Sequence, residues 1–404
     1  MRERTVAGSG MQWVGVGLLL IVVLLGVLSF RDQLVYGSGL TGLSQDMPWG
    51  LYIGQFALLM GVAAGAASTG LVAYLYDRRT FGRVAVLGLL LAVAASAIGL
   101  LFVMADMGRP ERMLNVLLYP HPESAMFWDM ISCLGFLVLS AVLAAVMLRT
   151  ERYQLPAPRW LDGVTVVTVL WALGMHTVQA FLYAGLPSLA VWLGPTLAPR
   201  FLATAFASGS ALLILACMLA KALSGYDVGR SAIGVLTKTM AYAMALNGFL
   251  LVVQLWSVSY GAVPAGLEHL RALYLGTGAP SPLPVWGRAS LVLTAASLLV
   301  LFMPGVRRSE RVLAVASAVT LVAVWLDKGV VLVAGAFTPS PLNVATSYVP
   351  TGSELAVTAG IWAAGILMAG ALYGFAAAVD AATALEFSGS MPRESEMERE
   401  RRTA

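Results

Sequence analysis

Residues 104–129 read MADMGRPERMLNVLLYPHPESAMFWD, a charged, proline-broken passage set between two long apolar runs. It carries Asp106, Arg109, Glu111, Arg112, Glu123 and Asp129, His121 as one of only three histidines, and three prolines. A connector with a purely structural task does not need that density of charge. The runs on either side are each long enough to cross a bilayer, so the passage reads as an elaborated loop between two membrane helices.

The same pattern extends outward from it. Of 404 residues 59% are hydrophobic and 11% are charged, against roughly 25% charged in a soluble domain. Ten apolar runs of about 20 residues, the length that spans a hydrocarbon core of about 30 Å, lie near 11–30, 49–76, 82–105, 124–148, 160–184, 198–222, 232–258, 284–304, 309–335 and 354–380. None alternates apolar with polar as a membrane strand does. The chain reads as an all-α polytopic membrane protein of about ten transmembrane helices. The first run ends VLSFRDQL without a small-x-small cleavage pattern, so it is taken as a retained anchor rather than a secretion signal.

The net charge of +4 is distributed by side. Lys and Arg crowd the N-terminus, the C-terminus and one set of alternate loops, which by the positive-inside rule places both termini in the cytoplasm. The basic excess orients the chain and implies no nucleic acid. Cytoplasmic connections are short and basic. The external ones are long and rich in Gly, Pro and aromatic residues, which makes the outer face the expected docking side.

Short and long connections recur in the same order for helices 2–5 and 6–9, suggesting two parallel four-helix bundles with helices 1 and 10 flanking them. The expected division is 1–48 for the first helix and its outer loop, 49–184 and 198–335 for the two bundles, 354–380 for the last helix, and 386–404 for a cytoplasmic tail, disordered or a frayed helix. Helix 2 contains GVAAGAAS, with Gly61 and Gly65 four apart. That face either packs closely on a neighbour or leaves a slot for a flat ring.

Cys133 and Cys217 have no ligand company, and His176 alone lies well inside a span, so neither a metal site, an iron–sulfur cluster nor a two-histidine haem can be built from this chain. Ionisable groups inside spans cost about 2.5–3.5 kcal/mol each near the centre and need a partner or a task. Asp106 ends helix 3, Asp129 opens helix 4, His176 lies in the outer half of helix 5 and Arg200 begins helix 6, so four polar groups gather in one outer half. His176, Gln179 and Tyr183 share a helix face. A histidine can donate to one carbonyl oxygen and accept a proton at ordinary pH, and either Asp129 or Asp106 can exchange a second. That is the equipment a quinone requires. The same groups also suit a satisfied hydrogen-bond cluster with Asp129 and Arg200 as a structural ion pair.

In the second half Asn247 and Gln254 share a face. Asp327 and Lys328, being adjacent, should find separate partners. Asp327 and Glu354 suit either a proton path or structural satisfaction. His121 and His269 fall in external loops, where they either meet a partner protein or stand at the surface.

Met47 to Tyr52 (MPWGLY), DMGRPER from Asp106 to Arg112, YPHP at 119–122, FWD at 127–129 and His176 followed by AFLYAGLP resemble the NrfD/PsrC family of membrane subunits. WLDKG at 325–329 and the later TPSPLN and SYVPTGSE segments are similar to its ten-helix branch in Dsr-, Hmc- and Qrc-type respiratory complexes. The resemblance implies a subunit without haem or cluster of its own, taking quinone, of the menaquinone type, as substrate. It implies an extracytoplasmic ferredoxin-like [4Fe-4S] partner and further redox subunits of multihaem cytochrome or molybdopterin type, in a bacterial inner membrane. It carries the quinone role onto Asp106, Asp129 and His176, with Arg109 and Arg200 as charge partners and Tyr52, Gln55, Gln179 and Tyr183 as further contacts, and it suggests coupling to proton translocation through Asp327 and Glu354. The competing readings are a secondary transporter, which would show broken helices in both halves, and a non-redox anchor for an external protein.

Overall fold

A peptide group in hydrocarbon has only other peptide groups to bond, which selects helices. The computed structural model describes residues 10–69, 71, 78–152, 156, 158–186, 192, 194–262, 264–277, 281–303, 305, 309–338 and 347–390, and every regular element among them is helical. Ten long elements run in order: α1 Gly10–Tyr36, α2 Leu51–Ala67, α3 Arg78–Asp106, α4 Ala125–Arg152, α5 Trp160–Ala184, α6 Leu197–Ser224, α7 Arg230–Gly261, α8 Leu283–Phe302, α9 Glu310–Phe337 and α10 Gly352–Ser390. Among the described residues nine are long and apolar enough to cross a membrane, and α2, at 17 residues, is a shorter apolar helix. The chain is a multi-pass membrane protein whose helices match the ten apolar runs.

Neighbouring helices close two rings. α2, α3, α4 and α5 each pack on the next and α5 returns to α2; α6, α7, α8 and α9 do the same. α1 and α10 pack on each other, with α10 also against α3. The longer connections in sequence fall on the face where α3 ends at Asp106, here the long-loop face, and the shorter ones on the opposite, short-loop face.

The rings meet along α2, which is buried from Tyr52 to Ala67 because its small residues let two neighbours come within backbone contact. A Cβ on Gly54 would stand 2.7 Å from the Gly329 carbonyl oxygen of α9. One on Gly65 would collide with the Ala205 carbonyl of α6, and Gly209 lies against Gly65 in return. Close packing, not a ring-shaped slot, therefore occupies the glycine face of α2. Protein surrounds this helix, so it has no need to match the bilayer thickness by its own length.

α9 departs from regular geometry. Glu310–Val324 is α-helical, Trp325–Val333 is a π-helical stretch and Ala334–Phe337 tightens to a 3₁₀ turn. Wide π turns recur at functional positions, and this one carries Asp327 and Lys328. At the other margin α10 extends through 386–390, where the sequence suggests the start of a tail. The remainder of that tail, 391–404, and residues 339–346 of the TPSPLN segment lie outside the described residues.

Candidate functional site

In the first ring α5 places His176, Gln179 and Tyr183 on one buried stripe. α4 faces it with Asp129 and Cys133. The Cys133 thiol stands 3.8 Å from an Asp129 carboxylate oxygen, and the Gln179 amide donates towards the same sulfur at 3.8 Å. Tyr183 lies within electrostatic reach of Asp129, Asp106 and Cys133, and Asp106 within reach of Tyr52 and Glu354. Both aspartates thus lie at the level of the helix where Tyr183 stands, while His176 sits two turns deeper, about 10 Å along the helix.

These groups have unspent hydrogen-bonding capacity. Among the described residues Asp106 Oδ1 and Gln179 Oε1 are buried without a partner at hydrogen-bond geometry, and the imidazole of His176 meets no side-chain partner, with only the Ala172 backbone near it. In a medium this apolar an unsatisfied polar atom costs of order 1–3 kcal/mol, so the cluster is built to receive another molecule or water. Two apolar grooves open between the surrounding helices, and none of the cluster's charged or amide side chains lines either of them. One of about 380 Å³ runs between α4 and α5, lined by Ser132, Val167, Leu170, Trp171, Gly174 and Met175, on the face of α5 turned away from His176; His176 instead lines a small cavity with Ala64, Gly65, Ala172 and Ala205 between α2, α5 and α6. The other groove, about 190 Å³, runs between α1, α3 and α10 and ends at Ala105, next to Asp106.

The structure takes Arg200 out of this cluster. Its guanidinium meets Asp327, not Asp129, with 2.7 Å to each carboxylate oxygen. Nε donates to Asn247 at 3.4 Å, another nitrogen donates to Gln254, and Asn247 donates to Asp327 at 3.3 Å. The pair on helices 6 and 9 and the amide face of helix 7 thereby form one closed network in the second ring. Lys328, as expected of a residue adjacent to Asp327, faces elsewhere. Its ammonium lies 4.2 Å from the centre of the Phe201 ring, a cation–π contact, has no hydrogen-bond partner among the described residues, and stands within electrostatic reach of both Asp327 and His176.

The remaining candidates separate. Tyr52 is hydrogen-bonded by the Gln33 amide at 2.9 Å, which also reaches Ser353 at 2.9 Å. Gln55 turns to α10 and accepts from the Trp362 indole at 3.2 Å. Arg109 is 72% exposed and pairs with Glu111 at 3.6 Å, well outside the buried cluster. Glu354 is fully buried and accepts from the Gly42 and Thr351 amides at 2.8 and 2.9 Å and from the Tyr348 hydroxyl at 2.9 Å. Burial, then the Glu354 charge, push the Tyr348 hydroxyl well above the ordinary tyrosine range, which keeps it a donor. Glu354 ties the loops of the long-loop face to the start of α10 and does not meet Asp327. His121 is exposed, whereas His269 is buried in the short helix Pro264–Leu270.

An aromatic cluster covers the long-loop end of the seam. Trp49, Tyr183, Trp192 and Phe337 stack edge to face at centroid distances of 4.9 to 6.0 Å, and the Trp192 indole donates to the Leu332 carbonyl at 2.8 Å. Sequence reading overlooks Trp192, which sits in a loop with no periodicity to mark it. It overlooks Gln33 and the Asp129–Cys133–Gln179 contact for the same reason: each depends on which helices become neighbours.

The family described as polysulphide reductase, NrfD, matches residues 39–340, a span holding both rings. A putative dimethyl sulfoxide reductase membrane subunit of Halobacterium salinarum is 27% identical over 90% of this chain and 91% of its own length. A selenate reductase subunit of Mesobacillus selenatarsenatis is 24% identical over 48% of this chain and 54% of its own. The Hdr-like menaquinol oxidoreductase integral membrane subunit of Archaeoglobus fulgidus is 21% identical over 67% of each.

Proposed function

Because this chain belongs to the polysulphide reductase NrfD family, we propose that it is the quinone-reactive membrane subunit of a multi-subunit oxidoreductase. It exchanges electrons between a membrane quinone of the menaquinone type and an iron–sulfur subunit on the long-loop face. Its relatives bear the names of reductase subunits and, in one case, of a menaquinol oxidoreductase, which supports a redox complex over a transporter. The concentration of Lys and Arg on the short-loop side supports an orientation with that side in the cytoplasm and the long loops outside, which in a bacterial inner membrane is the periplasm. The long-loop face would dock a ferredoxin-like [4Fe-4S] protein with further subunits of multihaem cytochrome or molybdopterin type.

One observation carries this reading: the buried, unpartnered Asp106 Oδ1 and Gln179 Oε1, with the fully buried His176 one turn from Gln179, in a helical ring whose flanks carry apolar grooves. A ring with two carbonyls gains or loses one proton at each oxygen as two electrons pass. Gln179 and His176 can orient one oxygen, His176 holding or releasing its proton. Asp106 and Asp129, both at the level of Tyr183, do the same at the other. The aromatic cluster around Trp49 keeps loop water from this space. Proton translocation is the finer part of the proposal, with Asp327 as its group in the second ring; the three donors that hold Glu354 suit it to loop anchoring instead.

The test replaces His176 with Leu and Asp129 with Asn in the assembled complex. Loss of a positioned acid or base lowers rates about 10²–10⁴-fold, so quinone turnover should fall by that order while the complex still assembles with all its partners. Undiminished turnover in both variants overturns the assignment.

A further inference from the structure

Serine and threonine in a membrane helix ordinarily return their hydroxyl to a carbonyl one turn back. This chain does so at Ser96, Thr165, Thr168, Thr177 and Thr204. Five buried hydroxyls of the second ring do not: Ser290, Thr294 and Ser297 on α8, Ser317 and Thr320 on α9, each without a hydrogen-bond partner among the described residues. Those on α8 follow i, i+4, i+7 along its buried stripe. Those on α9 share the stripe that continues to Asp327, and the two helices pack together.

Both ends of this column are marked. One is the Arg200–Asp327 pair. The other is a cavity of about 530 Å³ at the short-loop face, between the ends of α6, α7 and α9, whose walls include Cys217, Lys221, Thr237, Glu310 and Leu313. Leu313 is one turn from Ser317, and the 14 residues from there to Asp327 rise about 21 Å at about 1.5 Å each, most of a hydrocarbon core of about 30 Å. Five dry hydroxyls in that position would each forfeit their hydrogen bonds, whereas water satisfies them.

We propose that the core of the second ring is wet, and that its hydroxyls and waters conduct protons between the short-loop cavity and the Arg200–Asp327 pair. The lining suits a proton rather than a metal cation: between the cavity, where Asp227 and Glu310 stand, and Asp327 it supplies O–H donors and lone pairs but no carboxylate to coordinate a metal. Each step moves one proton onto an oxygen that releases another on its far side, and no electron is transferred. The inference rests on the quinone reading only for what drives the flow.

Two measurements on the intact complex test it. Hydroxyl radicals produced from water by pulsed radiolysis should oxidise Met240 and Met244, fully buried in the ring on α7, well above Met60, equally buried on α2; labelling no greater than at Met60 overturns the proposal. In proteoliposomes under quinone turnover, proton uptake from the short-loop side per quinone turned over should fall about tenfold in Thr320→Val, the factor one lost net hydrogen bond carries, and return in Thr320→Ser. Equal uptake in Thr320→Val overturns it. A wet ring in a complex that binds no quinone defeats the quinone reading alone; quinone turnover with a dry ring defeats this inference alone.

Discussion

One terminal nitrogen of Arg200 reaches both carboxylate oxygens of Asp327 at 2.7 Å, across 127 positions of chain. With side-chain exposures of 6% and 3%, neither charge has bulk water to fall back on. Removing one partner of a buried pair costs about 3–5 kcal/mol, whereas replacing both by apolar residues is often neutral. Arg200→Met and Asp327→Leu should each lower the thermal midpoint in detergent sharply, and the double variant should recover most of the loss. Additive losses would show that the two residues act separately.

The glycines of α2 are expected to differ in tolerance. A Cβ on Gly61 would meet Ala205 Cα and Ser208 Oγ at 3.4 Å, ordinary contact, while one on Gly65 would strike the Ala205 backbone, which cannot yield without moving a helix. Gly61→Ala should be nearly silent and Gly65→Ala should cost about 1–3 kcal/mol by overpacking. Midpoints of thermal aggregation for the two proteins provide the comparison.

Glu354 holds three donors from the outer loops. In Glu354→Gln one oxygen becomes an N–H among donors, and the lost charged hydrogen bonds are worth about 1.5–3 kcal/mol. Faster proteolysis within residues 37–50, with the membrane helices left intact, is the expected result; an unchanged digestion pattern counts against the anchoring role.

His269 should make the fold acid-sensitive. Burial pushes its imidazole down to about 4, partly offset by a Thr338 backbone contact, against about 6.5 when unfolded. The unfolded chain therefore binds the extra proton first: stability is full above about 6.5 and drains as pH falls towards about 4, by at most about 3 kcal/mol. Thermal midpoints at pH 7.5 and 5 should diverge in the parent protein and converge in His269→Gln.

Hydropathy alone made the ten helices legible, because a bilayer demands long apolar runs whatever surrounds them. The shared face of His176, Gln179 and Tyr183 was equally readable, since helical spacing is local. Partnership across helices was not. Arg200 looked towards Asp129 because both sit near the long-loop ends of their spans, helices 6 and 4, yet its carboxylate lies three helices further on, where ring closure brings α9 against α6. The π-helical turn at Trp325 and the burial of His269 left no trace in composition, for both depend on what α9 and the outer loops press against.

Between Gly65 and Gly209 main chain touches main chain, with no side chain left to act as a bearing. A joint of that kind resists sliding, so the two halves of the molecule travel as one solid. Under the proposed function, a redox step in the first ring would then reach the second as an electric field, over the short span that Lys328 occupies between His176 and Asp327, and not as a lever stroke.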